Sequence, residues 1–343
     1  MYILRPYMAV FEYYIILLLF SAIKTLESVI NMERKYAKLI PIPYGIRKAA
    51  SPSRERSVHS SRRRIAYLSL ALLACIVCIF FISGSIAERS AHIPPDYSMS
   101  DLTGILSGST LTGNDYKTLY YQAGLGKPAV DALLAKGAAG RQEILEIQQA
   151  FFDPVQYECT WNSPISKEEH AIGPDGYWRP DTKLAPLEDG DILITKNSHI
   201  GGWRNGHAAL VVDAENETTL ESVVIGRNSK TQDYDKWRTF PSFLVLRLKD
   251  TPREERAAIA RSAMDNLNDI PYFFPAGILS PKYQPPGSVT GTHCSHLVWL
   301  AYFHFGYDLD SDSGMIVTPK DIANSPLLEI VQIYGVDPDS PWP

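Results

Sequence analysis

Residues 65–87, with the sequence IAYLSLALLACIVCIFFISGSIA, contain no charged side chain and directly follow Arg62, Arg63 and Arg64. An apolar helix needs about 20 residues to cross a bilayer, and this segment is long enough. A helix buried in a soluble domain is seldom this long without a single charge. The segment therefore predicts a transmembrane anchor, and the preceding arginines predict that its N-terminal side faces the cytoplasm.

The N-terminal part has other interpretations. Ser85 and Ala87 have the small side chains of a signal-peptidase site, so cleavage after Ala87 would give a secreted protein. Residues 8–23 include an apolar segment that suits an extra membrane span, and Met32 is an alternative start. We favour an uncleaved anchor at residues 65–87 over a cleaved signal peptide and over a buried intracellular helix.

The charge is divided unevenly around this segment. Residues 1–64 hold 12 lysines and arginines against 4 glutamates, whereas residues 88–343 hold 21 basic and 34 acidic side chains. We expect residues 1–64 to be a basic, largely disordered cytoplasmic head that lies against anionic lipid. The acidic body argues against a nucleic-acid partner, because nucleic-acid-binding proteins carry a basic surface.

Composition divides the exported part into a linker with helices and one α+β domain. Residues 88–185 begin as a linker and continue with GKPAVDALLAKG and GRQEILEIQQAFF, whose apolar residues have helical spacing. Within them, residues 152–184 are rich in turn residues and predict irregular chain beside a substrate cleft. Residues 186–334 predict the α+β domain, and residues 335–343 a tail.

The α+β domain begins with strand-like segments and ends with helices. Four segments have the apolar and β-branched content of strands, namely residues 190–196, 207–214, 218–226 and 242–249. In TPREERAAIARSAMDNL, which follows them, Thr251 fits a helix N-cap, Pro252 the first helical position and Glu254 a capping box. A long loop and a second helix complete the domain.

That second helix starts at a cysteine. In GTHCSHLVWLAYFHFG, the apolar residues after Cys294 recur at helical spacing, and Gly306 ends the pattern. A thiol in the first turn of a helix faces free N–H groups and the positive end of the helix dipole, which favour the nucleophilic thiolate. Two other interpretations of Cys294 are a small buried core residue and a disulfide with Cys159.

A cysteine nucleophile needs a base and a group that orients the base. His207 is the best candidate base, because it begins a predicted strand next to solvent in WRNGHAALVV. Glu221, within TLESVV on the next strand, is the candidate orienting carboxylate, since a carboxylate among apolar residues needs a partner. The alternatives are a structural histidine and an outward-facing strand glutamate.

The sequence gives little support for a metal or a cofactor. His293 and His296 flank Cys294, but Cys294 and His296 are two residues apart and face different sides of a helix. No CxxC or HExxH spacing at Cys294 and its neighbouring histidines supports a zinc site there. The sequence also lacks a phosphate-binding loop, a dinucleotide fingerprint and a serine-hydrolase elbow. We therefore expect no metal site and no cofactor.

The order of these motifs resembles a known family. GDILITK, GHAALVV, LES, DIPYFF, THCSHLVWLAY and VTPKDIANSP follow one another as in the circularly permuted papain-like hydrolases of the YaeF/YiiX type, within the NlpC-like amidase superfamily. The resemblance covers about residues 187–330. It implies a permuted papain-like domain in which the histidine strand precedes the cysteine helix.

The resemblance also implies roles for individual residues. Cys294 would be the nucleophile, His207 the general base and acid, and Glu221 the group that orients His207. Tyr272, in the matching Pro-Tyr stretch, and His293 and Ser295, beside the cysteine, are the residues that we expect to contact substrate.

Two positions depart from the family pattern. His296 stands where the family often has an acidic residue, and Ala208-Ala209 replaces a Val-Gly type pair. Both departures concern the pocket, and neither removes a reacting group.

Together these features predict a membrane-anchored, extracytoplasmic cysteine hydrolase that cleaves amide bonds, or ester bonds, in peptide or acyl-amide substrates. An external location makes cell-wall peptides the first substrate class to consider, and lipid-linked acyl groups the second. The alternative function is a catalytically inert papain-like domain that binds wall fragments or a partner protein. The sequence does not define the oligomeric state.

Overall fold

The computed structural model of the protein describes residues 52–88, 92–163, 165–180 and 182–342, with side chains from residue 67 onward. The expected apolar segment within residues 8–23 and the alternative start at Met32 lie outside the described residues.

The first described helix, α1 (Pro52–Ala87), begins before the predicted anchor. Residues 52–64 are therefore helical where the sequence analysis expects disordered chain. Proline suits the first position of a helix, because its φ angle is already helical and no N–H is needed there. The arginines and glutamate of this stretch are also good helix formers.

Within α1, the segment Tyr67–Ala87 is long and apolar enough to cross a membrane, with a mean hydropathy of 2.6. Its large apolar side chains are exposed, for example Leu68 at 70% and Ile82 at 61%. An apolar surface of this kind is typical of interaction with a membrane or a partner. It is the one candidate membrane span in the part of the chain that the structure describes.

The remaining described helices and strands alternate along the chain. The helices are α2 (Thr103–Ser107), α3 (Gly113–Ala123), α4 (Lys127–Ala135), α5 (Ala138–Phe152), α6 (Asp235–Arg238), α7 (Arg253–Leu267), α8 (Cys294–Phe303) and α9 (Pro319–Ala323). The strands are β1 (Tyr157–Trp161), β2 (Lys167–Ala171), β3 (Ile192–Thr195), β4 (Ser198–His199), β5 (His207–Asp213), β6 (Thr218–Glu221), β7 (Lys230–Asp233), β8 (Phe243–Leu248) and β9 (Leu328–Tyr334).

The strands form two antiparallel sheets. The larger sheet has six strands in the order β7-β6-β5-β3-β8-β9, and the smaller sheet has three in the order β1-β2-β4. Each of the four strands predicted in the α+β domain is present, with bounds shorter than predicted. The coarse expectation of a mixed α and β domain is therefore confirmed, and the structure adds that its sheets are antiparallel.

The described chain separates into two compact units. One contains α1 and residues 201–203, and the other contains residues 88–200 and 204–343. In the second unit the predicted helical segment, α2 to α5, joins the larger sheet, because Leu125 pairs with Gln332 of β9. Glycine is required beside this contact, since a Cβ at Gly126 would lie 1.8 Å from the Ile330 carbonyl oxygen.

Helix α8 lies in the core of the second unit. Its residues 295–302 are all buried, so the helix is enclosed on nearly every side and not only along the predicted stripe. Helices α7 and α8 pack against each other and against β5. The hydroxyl of Tyr302 also donates to the carbonyl oxygen of Gly190, just before β3. These contacts place the first turn of α8 beside the start of β5.

Three local expectations were wrong. Residues 152–184 include the β1–β2 hairpin, whose glutamate-rich second strand, KEEHA, conceals a strand pattern because glutamate is depleted in strands. Helix α7 begins at Arg253 with Pro252 as N-cap, and the predicted capping box is not formed, because the Thr251 hydroxyl donates to Lys249. Strands β7 and β9 lie in segments that the sequence analysis leaves without strands.

Candidate active site

Cys294 is the first residue of α8, and its side chain is partly exposed. The preceding residue, His293, has an extended backbone and caps the helix, because its Nδ1 accepts a hydrogen bond from the His296 N–H at 3.4 Å. The thiol therefore lies at the positive end of the helix, next to the orphan N–H groups of its first turn.

The two other predicted site residues come from neighbouring strands. His207 begins β5 and Glu221 ends β6, and these strands pair in antiparallel fashion. Their side chains meet, with 2.6 Å between His207 Nε2 and Glu221 Oε2. Both residues are buried, Glu221 completely, so the alternative of an outward-facing glutamate is wrong.

Both carboxylate oxygens of Glu221 have several partners. Oε2 accepts from Lys236 Nζ at 2.6 Å as well as from His207, while Oε1 accepts from Trp237 Nε1 at 3.1 Å and from the Thr219 hydroxyl at 2.7 Å. Burial alone raises the pKa of Glu221, but Lys236 and His207 outweigh it and hold this pKa well below its usual range. Glu221 is therefore a fixed anion.

His207 links this anion to the cysteine. Because Nε2 of His207 faces Glu221, Nδ1 is the nitrogen left for the Cys294 thiol. Burial lowers the pKa of His207, but the hydrogen bonds to Cys294 and Glu221 prevail and raise it to about 9. Trp237 also stacks on the imidazole, with 5.7 Å between ring centroids.

The pKa of the Cys294 thiol is shifted in the opposite direction from that of His207. Burial raises the pKa of Cys294, but hydrogen bonds with His207 and His293 outweigh burial and lower this pKa well below its usual range. A low thiol pKa beside a high imidazole pKa describes a thiolate–imidazolium pair at neutral pH. The structure thus brings Cys294, His207 and Glu221 together in this order.

The three residues expected to contact substrate lie around Cys294. Tyr272 pairs with Thr292, two residues before the cysteine, and burial followed by the Cys294 charge raises its pKa, so its hydroxyl stays protonated. His293 is buried directly before the cysteine and contributes to the lowered pKa of its thiol. The Ser295 hydroxyl is buried and donates to the Val317 carbonyl oxygen at 2.8 Å.

His296 has a different role from its neighbour His293. It is buried, and its Nε2 lies 2.7 Å from the Lys282 carbonyl oxygen while its Nδ1 lies 3.0 Å from the Thr292 hydroxyl. Burial and the nearby His293 lower the pKa of His296 to about 3, which keeps its imidazole neutral. These contacts fix the loop before α8.

Cys159, the other described cysteine outside α1, lies in a different environment. Cys159 and Cys294 are both free thiols, so the alternative of a disulfide between them does not hold in the structure. Burial, together with Glu169 and Glu88, raises the pKa of Cys159 to about 12. Cys159 is therefore a protonated thiol at neutral pH, unlike Cys294.

Three groups of side chains in the described part of the chain are close enough to share a metal ion, and none of them includes the Cys294 site. They are Glu88, Cys159 and His199; Glu217, Asp233 and Asp235; and Asp310, Asp312 and Asp321. The two acidic groups already have cationic partners, because Arg238 pairs with Glu217 and Asp235, and Lys282 pairs with Asp310.

Sequence reasoning missed four residues of the site. Lys236 and Trp237 come from the short helix α6, and Thr219 precedes Glu221 by two residues on β6. The fourth, Glu168 of β2, acts on the site only through its charge: it contacts His170 and Ser198, and the charges of His207 and Lys236 contribute to lowering its pKa. No spacing pattern marks these residues, because they reach the site through tertiary packing.

Comparison with known proteins does not assign this chain to a family. No family model matches it, and no curated protein and no solved structure matches it.

Proposed function

We propose that this protein is a cysteine hydrolase that cleaves amide or ester bonds with Cys294, His207 and Glu221. One observation carries the proposal: Glu221, which is buried and has both oxygens hydrogen-bonded, lies 2.6 Å from His207, and His207 lowers the pKa of the thiol at the first position of α8. Cysteine nucleophiles require a base and an orienting group in this arrangement.

The first half of the proposed reaction is acylation. The Cys294 thiolate attacks the substrate carbonyl carbon, and the C=O electron pair moves onto oxygen. The N–H of Cys294 and the protonated hydroxyl of Tyr272 stabilise this oxyanion. The intermediate then collapses as the His207 imidazolium gives its Nδ1 proton to the leaving amine or alcohol, which leaves an acyl-cysteine thioester.

The second half is hydrolysis of the thioester. Neutral His207 takes a proton from water, and the resulting hydroxide adds to the acyl carbon. Collapse of the second tetrahedral intermediate breaks the carbon–sulfur bond, releases the carboxylic acid and restores the thiolate beside imidazolium. Glu221 stays ionised throughout, because Lys236 and three hydrogen-bond donors hold its charge.

The proposed fold and substrates follow from the resemblance to permuted papain-like enzymes of the NlpC-like superfamily. The histidine of β5 precedes the cysteine of α8 along the chain, as that order requires. The resemblance favours amide bonds over esters. Cell-wall peptides are the first substrates to test, and lipid-linked acyl groups the second.

We propose the same external location that the sequence predicts, with Tyr67–Ala87 as an uncleaved anchor. A membrane-impermeant maleimide tests it in intact cells that express the chain with its native cysteines replaced. Ser288→Cys, in an exposed loop of the second unit, should be labelled, whereas Ser51→Cys in the basic head should be labelled only after permeabilisation. The reverse pattern would contradict the proposed sidedness.

The hydrolase proposal is tested first by thiol alkylation of the full chain in detergent. Limiting iodoacetamide is applied at pH 6 and pH 8, and peptide mass mapping identifies the labelled cysteine. Cys294 should react quickly even at pH 6, and His207→Ala should slow it, because a thiol without its imidazolium partner returns to an ordinary pKa.

The matched control is His304→Ala, which removes a histidine just after α8 and leaves the Cys294 site intact. If Cys294 reacts at the rate of an ordinary thiol in the parent protein, the hydrolase proposal fails. The domain would then be studied as an inert binder of wall fragments or of a partner protein. If the rate is high, cell-wall peptides and acyl esters are screened as substrates.

A further inference from the structure

A second cluster of reactive side chains lies in the smaller sheet. Cys159 Sγ is 3.4 Å from His199 Nε2, and a carboxylate oxygen of Glu88 completes a trio whose ligand atoms all lie within 4.8 Å of one another. His199 is buried, while Cys159 and Glu88 are partly exposed. None of the three belongs to the proposed catalytic array.

Strand pairing holds the three groups in place. Cys159 in β1 and His199 in β4 lie on either side of β2, where they pair with Glu169 and Lys167. Glu88 is fixed to the same sheet, since the Tyr157 hydroxyl donates to its carbonyl oxygen at 2.6 Å. The ammonium of Lys167 pairs with one oxygen of the Glu88 carboxylate, which leaves the other oxygen for a ligand.

The donor set is specific in its chemistry. Cysteine, histidine and carboxylate side chains bind zinc at metal–ligand distances of about 2.0–2.3 Å, and a cysteine thiol releases its proton when the metal binds. Those distances place neighbouring ligand atoms of a tetrahedral site roughly 3.3–3.8 Å apart. The 3.4 Å between Cys159 and His199 falls in this range. Hard cations such as magnesium and calcium are disfavoured, because they take oxygen ligands.

A buried carboxylate, that of Glu169, lies beside this cluster. Glu169 Oε1 lies 3.9 Å from His199 Nε2, and Arg204 holds both oxygens of Glu169, at 2.7 and 2.9 Å. Glu169 thus lies near the same ring nitrogen of His199 that faces Cys159. The sheet therefore presents three ligand atoms together with a fixed outer carboxylate.

We propose that Cys159, His199 and Glu88 form a binding site for Zn²⁺ or a divalent cation of similar softness. Three protein ligands leave the fourth position of a tetrahedral ion to water. This inference goes beyond the hydrolase proposal and does not depend on it. It also departs from the sequence analysis, which considers zinc only at the residues around Cys294 and expects none.

The test uses Co²⁺, whose thiolate complexes absorb in the near ultraviolet. The full chain is purified in detergent with Cys75→Ala and Cys78→Ala, so that thiols of α1 do not contribute. We expect one Co²⁺ per chain with a thiolate-to-metal absorption band, and loss of the band when Zn²⁺ is added. Cys159→Ser should abolish the band, whereas Cys294→Ser, the matched control, should keep it.

Two further variants keep the test decisive if one of them fails to fold. Glu88→Gln removes a partly exposed ligand and should weaken Co²⁺ binding while the circular dichroism of the chain is unchanged. Glu169→Gln removes a carboxylate close to the three ligand atoms and should also weaken Co²⁺ binding. A band that persists in Cys159→Ser, a band that disappears in Cys294→Ser, or no Co²⁺ binding by the folded parent would each overturn the proposal.

Discussion

His207 Nε2 and Glu221 Oε2 lie 2.6 Å apart, and Glu221 has no exposed surface. A carboxylate in such a place is costly unless all of its lone pairs are used, and here Lys236, Trp237 and Thr219 supply the remaining donors. This arrangement does more than stabilise the sheet, because it also raises the pKa of the imidazole that contacts Cys294.

Glu221→Gln should therefore reduce the reactivity of Cys294. Glutamine is almost the same size as glutamate but has no charge, so the pKa of His207 falls and the thiolate–imidazolium pair is weakened. Each unit of change in the thiol pKa alters the thiolate fraction about tenfold. We expect iodoacetamide alkylation of Cys294 at pH 6 to slow at least about tenfold.

Glu217→Gln is the matched control for this change. Glu217 lies just before β6 and pairs with Arg238, outside the Cys294 site. Its substitution should leave the alkylation rate of Cys294 unchanged. Equal rates for Glu221→Gln and the parent protein would show that Glu221 does not act on the thiol.

Folding stability and turnover should both decrease at basic pH, at a point set by the pKa of His207. Its folded-state pKa of about 9 lies above the unfolded value of 6.5. Its contribution to stability is therefore fully present below about pH 6.5 and is lost as the pH rises through about 9. Turnover should fall over the same rise in pH, because proton donation to the leaving group needs the imidazolium form of His207.

Thermal melting checks this prediction without a substrate. The difference in Tm between the parent protein and His207→Gln should shrink as the pH rises from 6.5 to about 9.5, beyond the His207 pKa of about 9. Glu221 acts in the other direction: its depressed pKa stabilises the fold above pH 4.5, and this stability is lost as the pH falls through the folded-state value. A Tm difference that grows above pH 7 would contradict the assigned His207 shift.

The mixed α and β fold and the three candidate site residues are accessible from the sequence because each has a local signal. Cys294 follows a loop and begins an apolar helix, and His207 and Glu221 occur in short strand-like segments. The periodicity of these segments also predicts β3, β5, β6 and β8 close to their observed positions.

The supporting residues have no such signal. Lys236 and Trp237 lie in DKWR, a four-residue helix whose sequence resembles a solvated turn. Their contacts with Glu221 depend on how α6 folds back onto β6, which is a tertiary property. The β1–β2 hairpin was missed for a similar reason, since Glu169 of β2 is buried against Arg204, which is distant along the chain.

The ion pair between Asp191 and Arg247 makes a prediction for the larger sheet. Asp191 is completely buried, and both of its oxygens accept from the Arg247 guanidinium at 2.7 Å. Arg247→Met would leave a buried carboxylate without its partner, at a cost of about 3–5 kcal/mol of unfolding free energy. Denaturant unfolding measures this loss.

Asp191→Asn combined with Arg247→Met is the companion variant, because it also removes the stranded charge. It should recover part of the stability that Arg247→Met alone loses. If Arg247→Met alone is as stable as the parent protein, the ion pair between Asp191 and Arg247 does not contribute to the stability of the fold. Alkylation of Cys294 in the folded fraction should be unchanged in both variants, since neither residue contacts the site.

The last prediction separates stability from reactivity at Trp237. This side chain is completely buried, and its Nε1–H donates to Glu221 Oε1 at 3.1 Å. Trp237→Phe would remove that donor, open space beside the His207 ring and cost about 2–4 kcal/mol of unfolding free energy. Cys294 should also be alkylated more slowly at pH 6, because Glu221 is no longer fixed on that side.

Trp299→Phe provides the comparison. Trp299 is likewise buried, and its Nε1–H donates to Asp308 at 2.7 Å, but that carboxylate is not part of the Cys294 site. Both variants should lose stability, measured by denaturant unfolding, while only Trp237→Phe slows alkylation. If the two variants slow alkylation equally, the effect of Trp237 arises from general loosening of the core and not from its hydrogen bond to Glu221.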